Sequence, residues 1–151
     1  ETLQVLTRNG VPVCVHLGLT PQSVHVFGGY KLQAKTREAA DQLIADCQAV
    51  VDAGAAILLL ECVPSQLGSE IAALFPNVPV IGIGAGVETD GQVLVVQDML
   101  GLTFGRVARF VRNFMKEQSG EMAIMDAFKA YHVAVQEKTF PAKEHIFQVE
   151  L

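Results

Sequence analysis

Ala56-Ile57-Leu58-Leu59-Leu60, with Glu61 directly behind it, is the stretch that decides the fold class. Five consecutive apolar residues without alternation fit a strand covered on both faces, the pattern of a parallel sheet. Upstream, Leu43, Ile44, Cys47, Val50 and Val51 recur at helical spacing, with Thr36 placed to cap that helix and Gly54 to end it. Downstream, Pro64 to Leu74 reads as a helix, since proline is tolerated in a first turn, and Pro79 to Ile83 reads as another buried strand.

The same rhythm extends outward. Thr2 to Thr7 reads as the last turns of a helix stopped by Asn9-Gly10, and Val11 to Val15 as a strand. Val93 to Val96 is expected as a fourth strand, followed by helices over Val107 to Glu117 and Met122 to Glu137 and an irregular tail with Pro141. Strands alternating with helices over short connections predict an α/β fold with a parallel sheet, in one domain spanning residues 1–151. Periodicity leaves two architectures open: half of a (β/α)8 barrel, whose full length is about 250 residues, and an open doubly wound sheet. The connection from Leu17 to Lys35, with Gly18, Pro21, Gly28 and Gly29, is long enough to be expected to serve function. No internal repeat or low-complexity linker interrupts the chain.

The balance of 11 Lys plus Arg against 16 Asp plus Glu gives a net charge of -5. With the basic residues read as scattered, the electrostatic footprint of a nucleic-acid binder is missing. Three cysteines, Cys14, Cys47 and Cys62, fit neither a disulfide framework nor a CxxC metal pair, so reduced thiols and a cytoplasmic location are expected. The apolar runs fall well short of the roughly 20 residues that span a bilayer, so no membrane partner is expected.

Parallel α/β folds build their active sites at the C-terminal ends of strands, where the outgoing loops converge. That rule selects His16 after the first strand, Glu61 after the second and the Gly84-Ala85-Gly86 turn after the third. A carboxylate just beyond an apolar run sits at a partly desolvated rim, where its pKa rises toward the range useful to a general base; a helix cap or a structural ion pair is the competing reading. His16 is either a substrate contact or a hydrogen-bonded packing residue. Gly82-Ile-Gly84-Ala-Gly86 lacks the spacing of a dinucleotide fingerprint, and its glycines serve close approach to a ligand or, the more heavily weighted reading, simple strand-to-loop geometry. Asp90-Gly91 is a turn dipeptide, Asp98 is placed to cap a following helix, and His132 and His145 are isolated. Met122, Met125 and Phe128 read as a packing stripe. No Ser-His-Asp constellation, phosphate loop or zinc pattern can be assembled.

His16-Leu-Gly-Leu-Thr-Pro-Gln-Ser23, Phe27-Gly-Gly-Tyr-Lys31, Leu60-Glu-Cys-Val-Pro64, Ile81-Gly-Ile-Gly-Ala-Gly86 and Asp90-Gly-Gln-Val-Leu-Val95, in this order, resemble the ketopantoate hydroxymethyltransferase family. The resemblance extends to Phe140-Pro141 and Glu144-His145. It implies a (β/α)8 TIM barrel of the phosphoenolpyruvate/pyruvate type, of which this chain is about the C-terminal half. It also implies a one-carbon transfer from 5,10-methylenetetrahydrofolate to 3-methyl-2-oxobutanoate, giving 2-dehydropantoate for pantothenate biosynthesis with the help of Mg2+. Glu61 then aligns with the proton acceptor and His16 with a histidine close to the keto acid. The Mg2+ ligands are expected in the other half of the barrel, so no metal ligand is assigned among these residues. A homo-oligomer, or pairing with the missing barrel half, is expected. Val15 stands where the family usually has Gly, Gln97 where His is frequent and Ala108 where Pro is common; the first either narrows the pocket or repacks a strand. A magnesium-dependent keto-acid lyase of the same superfamily and a non-catalytic half-barrel partner are the alternative functions.

Overall fold

The computed structural model describes residues 1–151. Helix α1 (Thr2–Arg8) leads to strand β1 (Cys14–Gly18), helix α2 (Arg37–Asp52), strand β2 (Ile57–Glu61), helix α3 (Ser65–Leu74), strand β3 (Val80–Ile83), the two-residue strand β4 (Gly91–Gln92), the short helix α4 (Val96–Met99) and helix α5 (Ala123–Gln136). Short 3-10 turns occur at Pro21–Ser23 and Lys143–His145. The four strands form one sheet in the order β1-β2-β3-β4, every neighbouring pair parallel. Strands that follow one another in both sequence and space, each returned by a crossover, give the α/β architecture expected from the apolar runs. No helix is long and apolar enough to cross a membrane.

The main core lies between the sheet and the two helices α2 and α3. Ala40, Leu43 and Cys47 of α2 and Leu67 and Ile71 of α3 meet Leu58, Leu60 and Val80, with Val15 and Leu17 packed against them. Thr36 caps α2 as expected, its side chain accepting from the Ala39 N–H. Gly68 of α3 faces the turn after β3, and a Cβ there would run into the Ala85 carbonyl oxygen.

Four sequence expectations need correction. First, β1 begins at Cys14 rather than Val11, because Pro12 has no N–H to give a ladder and only the Val13 carbonyl engages its neighbour, accepting from Ala56 N–H at 2.9 Å. His16 therefore lies inside the strand, not after it. Second, the expected strand over Val93 to Val96 is displaced to Gly91–Gln92, and Val96 opens α4. Third, Val107 to Glu117 is not a helix. Phe110 joins Leu19, Cys62 and Ile83, whereas Phe114 joins Met99, Ala127 and Phe140, so the i,i+4 pair is split between two clusters. Asn113 Oδ1 accepts from the Met115 and Lys116 N–H groups, holding a turn where a helix would continue. Fourth, Met122, Met125 and Phe128 are 58, 50 and 43% exposed. Helix α5 instead buries Ala123, Ala127 and Ala134, whose small side chains allow close approach to the rest of the chain. Near the middle of α5, Tyr131 donates its hydroxyl to the Gln92 carbonyl at 2.8 Å.

Replacing Gly68 with Ala improves intrinsic helix propensity by about 0.8–1.0 kcal/mol. The obstruction is a backbone carbonyl that cannot rotate aside, so overpacking of about 1–3 kcal/mol is expected to win. Urea unfolding of Gly68→Ala should show a lower midpoint with an unchanged slope.

Candidate functional site

The parallel register stacks the strand ends in a row: Gly18 beside Glu61, and Glu61 beside Ile83. Side chains of a strand alternate between faces. Leu58 and Leu60 point to the helices, which turns Leu59 and Glu61 to the opposite face, with His16 paired to Leu59 and Ile81 and Ile83 alongside. This second face carries both residues singled out by the strand-end rule. His16 Nε2 lies 3.1 Å from Glu61 Oε2, the two side chains 27 and 12% exposed. The nitrogen is within contact range but off the line of an aligned hydrogen bond, and it has no other protein partner.

The surroundings of Glu61 are apolar. Leu59, Cys62 and Ile83 belong to a cluster completed by Leu19 and Phe110. Burial disfavours the charged carboxylate and pushes Glu61 up to about 7, so the group is close to half ionised at neutral pH. The same burial raises the Cys62 thiol to about 11, with the Glu61 charge adding to the rise. His16 moves the other way: burial lowers its pKa, partly offset by a backbone hydrogen bond at Leu19. Both members of the pair are thus biased toward their neutral forms. The fraction of Glu61 that is ionised can take up a proton beside a neutral imidazole, and burial favours the protonated carboxyl that results.

The backbone around Glu61 is clamped from three sides. Its carbonyl accepts from Leu19 N–H at 2.8 Å, and the Cys62 carbonyl accepts from Gln33 N–H at 2.9 Å. Cys62 N–H in turn donates to the Ile83 carbonyl at 2.9 Å, and Val63 N–H to that of Gly84 at 3.2 Å. Cys62 itself has φ +53, a left-handed conformation uncommon for a residue with a Cβ. Such a conformation persists where neighbouring contacts over-determine it. The long Leu17–Lys35 connection thus reaches the site through Leu19 and Gln33.

The remaining sequence candidates take structural parts. A Cβ on Gly84 would meet the Phe110 ring and one on Gly86 would meet Ser65, so these glycines make room for the protein's own atoms, as the geometric reading held, rather than for a ligand. Asp90 ties down the start of β3, accepting from Val80 N–H at 2.8 Å. Asp98 lies within α4 and pairs with the Thr103 hydroxyl instead of capping a following helix. His145 is buried, its Nδ1 accepting from Ala142 N–H at 3.1 Å, and His132 lies exposed on α5. Val15 packs into the helix-facing core, so its side chain repacks the strand and does not narrow the His16 face. A cavity of about 380 Å³ is lined by His16, Gly18, Phe27 and Gln33 but not by Glu61. A smaller one of about 180 Å³, between Asp90 and Lys138, is lined by neither His16 nor Glu61. No three or more His, Cys, Asp or Glu side chains gather as a metal site, so these residues do not fit Mg2+ by themselves. Reading the sequence missed the Leu19 and Gln33 ties, which are backbone contacts; the sole sequence signal was the unusual length of the loop that supplies them.

A model of the family described as ketopantoate hydroxymethyltransferase matches residues 1–143. The 3-methyl-2-oxobutanoate hydroxymethyltransferase of Acinetobacter baumannii (strain AYE) is 87% identical over 151 residues, covering 100% of this chain and 56% of that protein. The protein of the same name from Acinetobacter baylyi is 85% identical over the same 151 residues, again 56% of its length. That of Chromohalobacter salexigens is 53% identical over 147 residues, 97% of this chain and 54% of the relative. The chain spans about half the length of the curated relatives it matches.

The upward shift of Glu61 has a stability consequence of definite sign. Between the ordinary carboxyl value of 4.5 and the folded value of about 7, the folded state holds a proton that the unfolded state has lost. Stability therefore falls as pH rises through that window, by on the order of 3 kcal/mol in all. His16, with a lowered pKa, contributes an opposite slope confined below its ordinary 6.5. Urea unfolding from pH 5 to 8 should show the decline in the natural chain, levelling off above about pH 7, and the loss of that decline in Glu61→Gln.

Proposed function

The chain belongs to the ketopantoate hydroxymethyltransferase family, and from that premise we propose that it carries the proton-abstracting side of a one-carbon transfer to a 2-keto acid. Glu61 is the general base and His16 the neighbouring group that contacts the substrate. The observation that supports this most directly is the position of Glu61: a carboxyl at a parallel strand's C-terminal end, desolvated to about 7 and 3.1 Å from His16. A base with a pKa near the working pH combines a useful ionised fraction with enough basicity to take a proton from carbon, a contribution of about 10²–10⁴ in rate.

In this reading 3-methyl-2-oxobutanoate presents its C3–H to the Glu61 carboxylate. The proton moves to the carboxylate oxygen, charge spreads onto the keto oxygen, and C3 attacks the one-carbon unit carried by 5,10-methylenetetrahydrofolate. Both carbon–nitrogen bonds to the folate break, water supplies the hydroxyl oxygen of the product 2-dehydropantoate, and tetrahydrofolate leaves with its two nitrogens carrying the proton taken from C3 and one proton of the water. The neutral imidazole of His16 orients the keto acid and receives a hydrogen bond from, or donates one to, the carboxyl group as its protonation changes. Mg2+ would supply Lewis-acid polarisation of the keto acid; its ligands are assigned to none of these residues, and no step above is routed through it. The proposal further takes residues 1–151 as the C-terminal half of a single (β/α)8 barrel acting in the cytoplasm within a homo-oligomer. Four consecutive parallel strands in spatial order and the coverage of 56% of the relatives support that placement.

The test uses a chimaera in which these 151 residues replace the matching segment of the Acinetobacter baumannii relative. It should form 2-dehydropantoate from folate and keto acid, and Glu61→Gln should lower kcat by about 10²–10⁴. Folate-independent cleavage of a 2-hydroxy acid would support the lyase instead. Full activity in Glu61→Gln would remove Glu61 from the chemistry and favour a non-catalytic role.

A further inference from the structure

The carboxylate of Glu61 acts only if its backbone is held, and one neighbouring position has no side chain to spare. Gly18 is the register partner of Glu61 at the end of β1. Its φ is +83, the left-handed region that glycine enters at no steric cost. A Cβ built there collides with the Glu61 carbonyl oxygen and sits 2.9 Å from Val63 Cγ1. That same carbonyl oxygen accepts the Leu19 N–H at 2.8 Å. The chain at Gly18 therefore turns across the top of Glu61 at a distance that excludes any side chain, and the next residue closes the hydrogen bond. Immediately beyond, Cys62 is left-handed at φ +53 and is held by Gln33 N–H and the Ile83 carbonyl. Pushing the Glu61 carbonyl outward leaves Glu61 and Cys62 no compliant direction, since β3 already occupies the other side.

We propose that Gly18 is a positioning residue for the Glu61 carboxylate: its missing side chain lets β1 and the loop after it lock the Glu61 backbone, and so aim the carboxyl group beside His16. This rests on the assignment of Glu61 as the base. Gly10, of similar backbone conformation at φ +78, has no such neighbour and meets nothing within 4 Å. Gly10→Ala thus carries the left-handed penalty without the collision, and separates backbone strain from displacement of Glu61.

Gly18→Ala and Gly10→Ala are compared by two readouts. In the substrate-free chimaera, the 13C carboxyl titration of Glu61 should move by at least one pH unit toward the ordinary carboxylate range in Gly18→Ala and stay in place in Gly10→Ala. In the chimaera, Gly18→Ala should lower kcat at least tenfold with KM within twofold, while Gly10→Ala leaves both unchanged. An unmoved titration together with wild-type kcat in Gly18→Ala overturns the proposal, as does an equal loss in Gly10→Ala. Where Gly18→Ala alone does not fold, Gly18→Ala/Val63→Ala relieves the second contact and keeps the first. It must retain the shifted titration and the tenfold loss, and wild-type behaviour there would mean that Gly18 makes room for Val63 and not for Glu61. The titration does not depend on turnover, so a catalytic role for Glu61 that fails by Glu61→Gln is distinguished from a failure of positioning.

Discussion

The contact between the backbone of β1's last residue and the carbonyl of Glu61 is the constraint on which the site depends. Parallel pairing brings Gly18, Glu61 and Ile83 level with one another, and each then sends its chain into a loop at the same edge of the sheet. Convergence of loops at the C-terminal edge is a general property of parallel sheets. What is particular here is how tightly they cross: Leu19 bonds the carbonyl of Glu61, Gln33 that of Cys62, and Cys62 and Val63 bond the carbonyls of Ile83 and Gly84. A residue in a left-handed conformation with a Cβ attached survives in the middle of this lattice because no neighbour is free to relax it.

The alternation of the strands then divides the labour between two faces. Leu58, Leu60 and Val80 fill the space under α2 and α3, and that apolar contact stabilises the sheet. His16, Leu59, Glu61 and Ile83 take the other face, where a carboxyl sits against hydrocarbon. The desolvation that raises Glu61 to about 7 costs stability above that pH, and the same desolvation gives the carboxyl the basicity its proposed chemistry requires. A site that is less stable when ionised is what stability and activity working against each other look like at one residue.

Much of this could be read from local pattern. The apolar run before Glu61, the helical spacing from Leu43 to Val51 and the Thr36 cap all have their cause within a few residues, and all recur in the structure. The family resemblance rested on segments that form the strand ends and their loops, and the comparisons carry it across residues 1–143. Local pattern fails for segments whose conformation is set by distant partners. Phe110 and Phe114 have helical spacing but belong to different clusters, and Met122, Met125 and Phe128 looked like a core stripe while alanines make the contact.

The amino-acid order by itself determined that this chain makes a parallel α/β sheet with a carboxylate at a strand's end, because hydrophobic periodicity and capping act over a few residues. Only the tertiary structure decided that His16 lies 3.1 Å from Glu61, that the loop from Leu19 to Gln33 grips the backbone there and that Gly18 must lack a side chain. Those facts depend on which residues of separate strands come level and on what fills the space between them, and register and packing are long-range outcomes that no local pattern encodes.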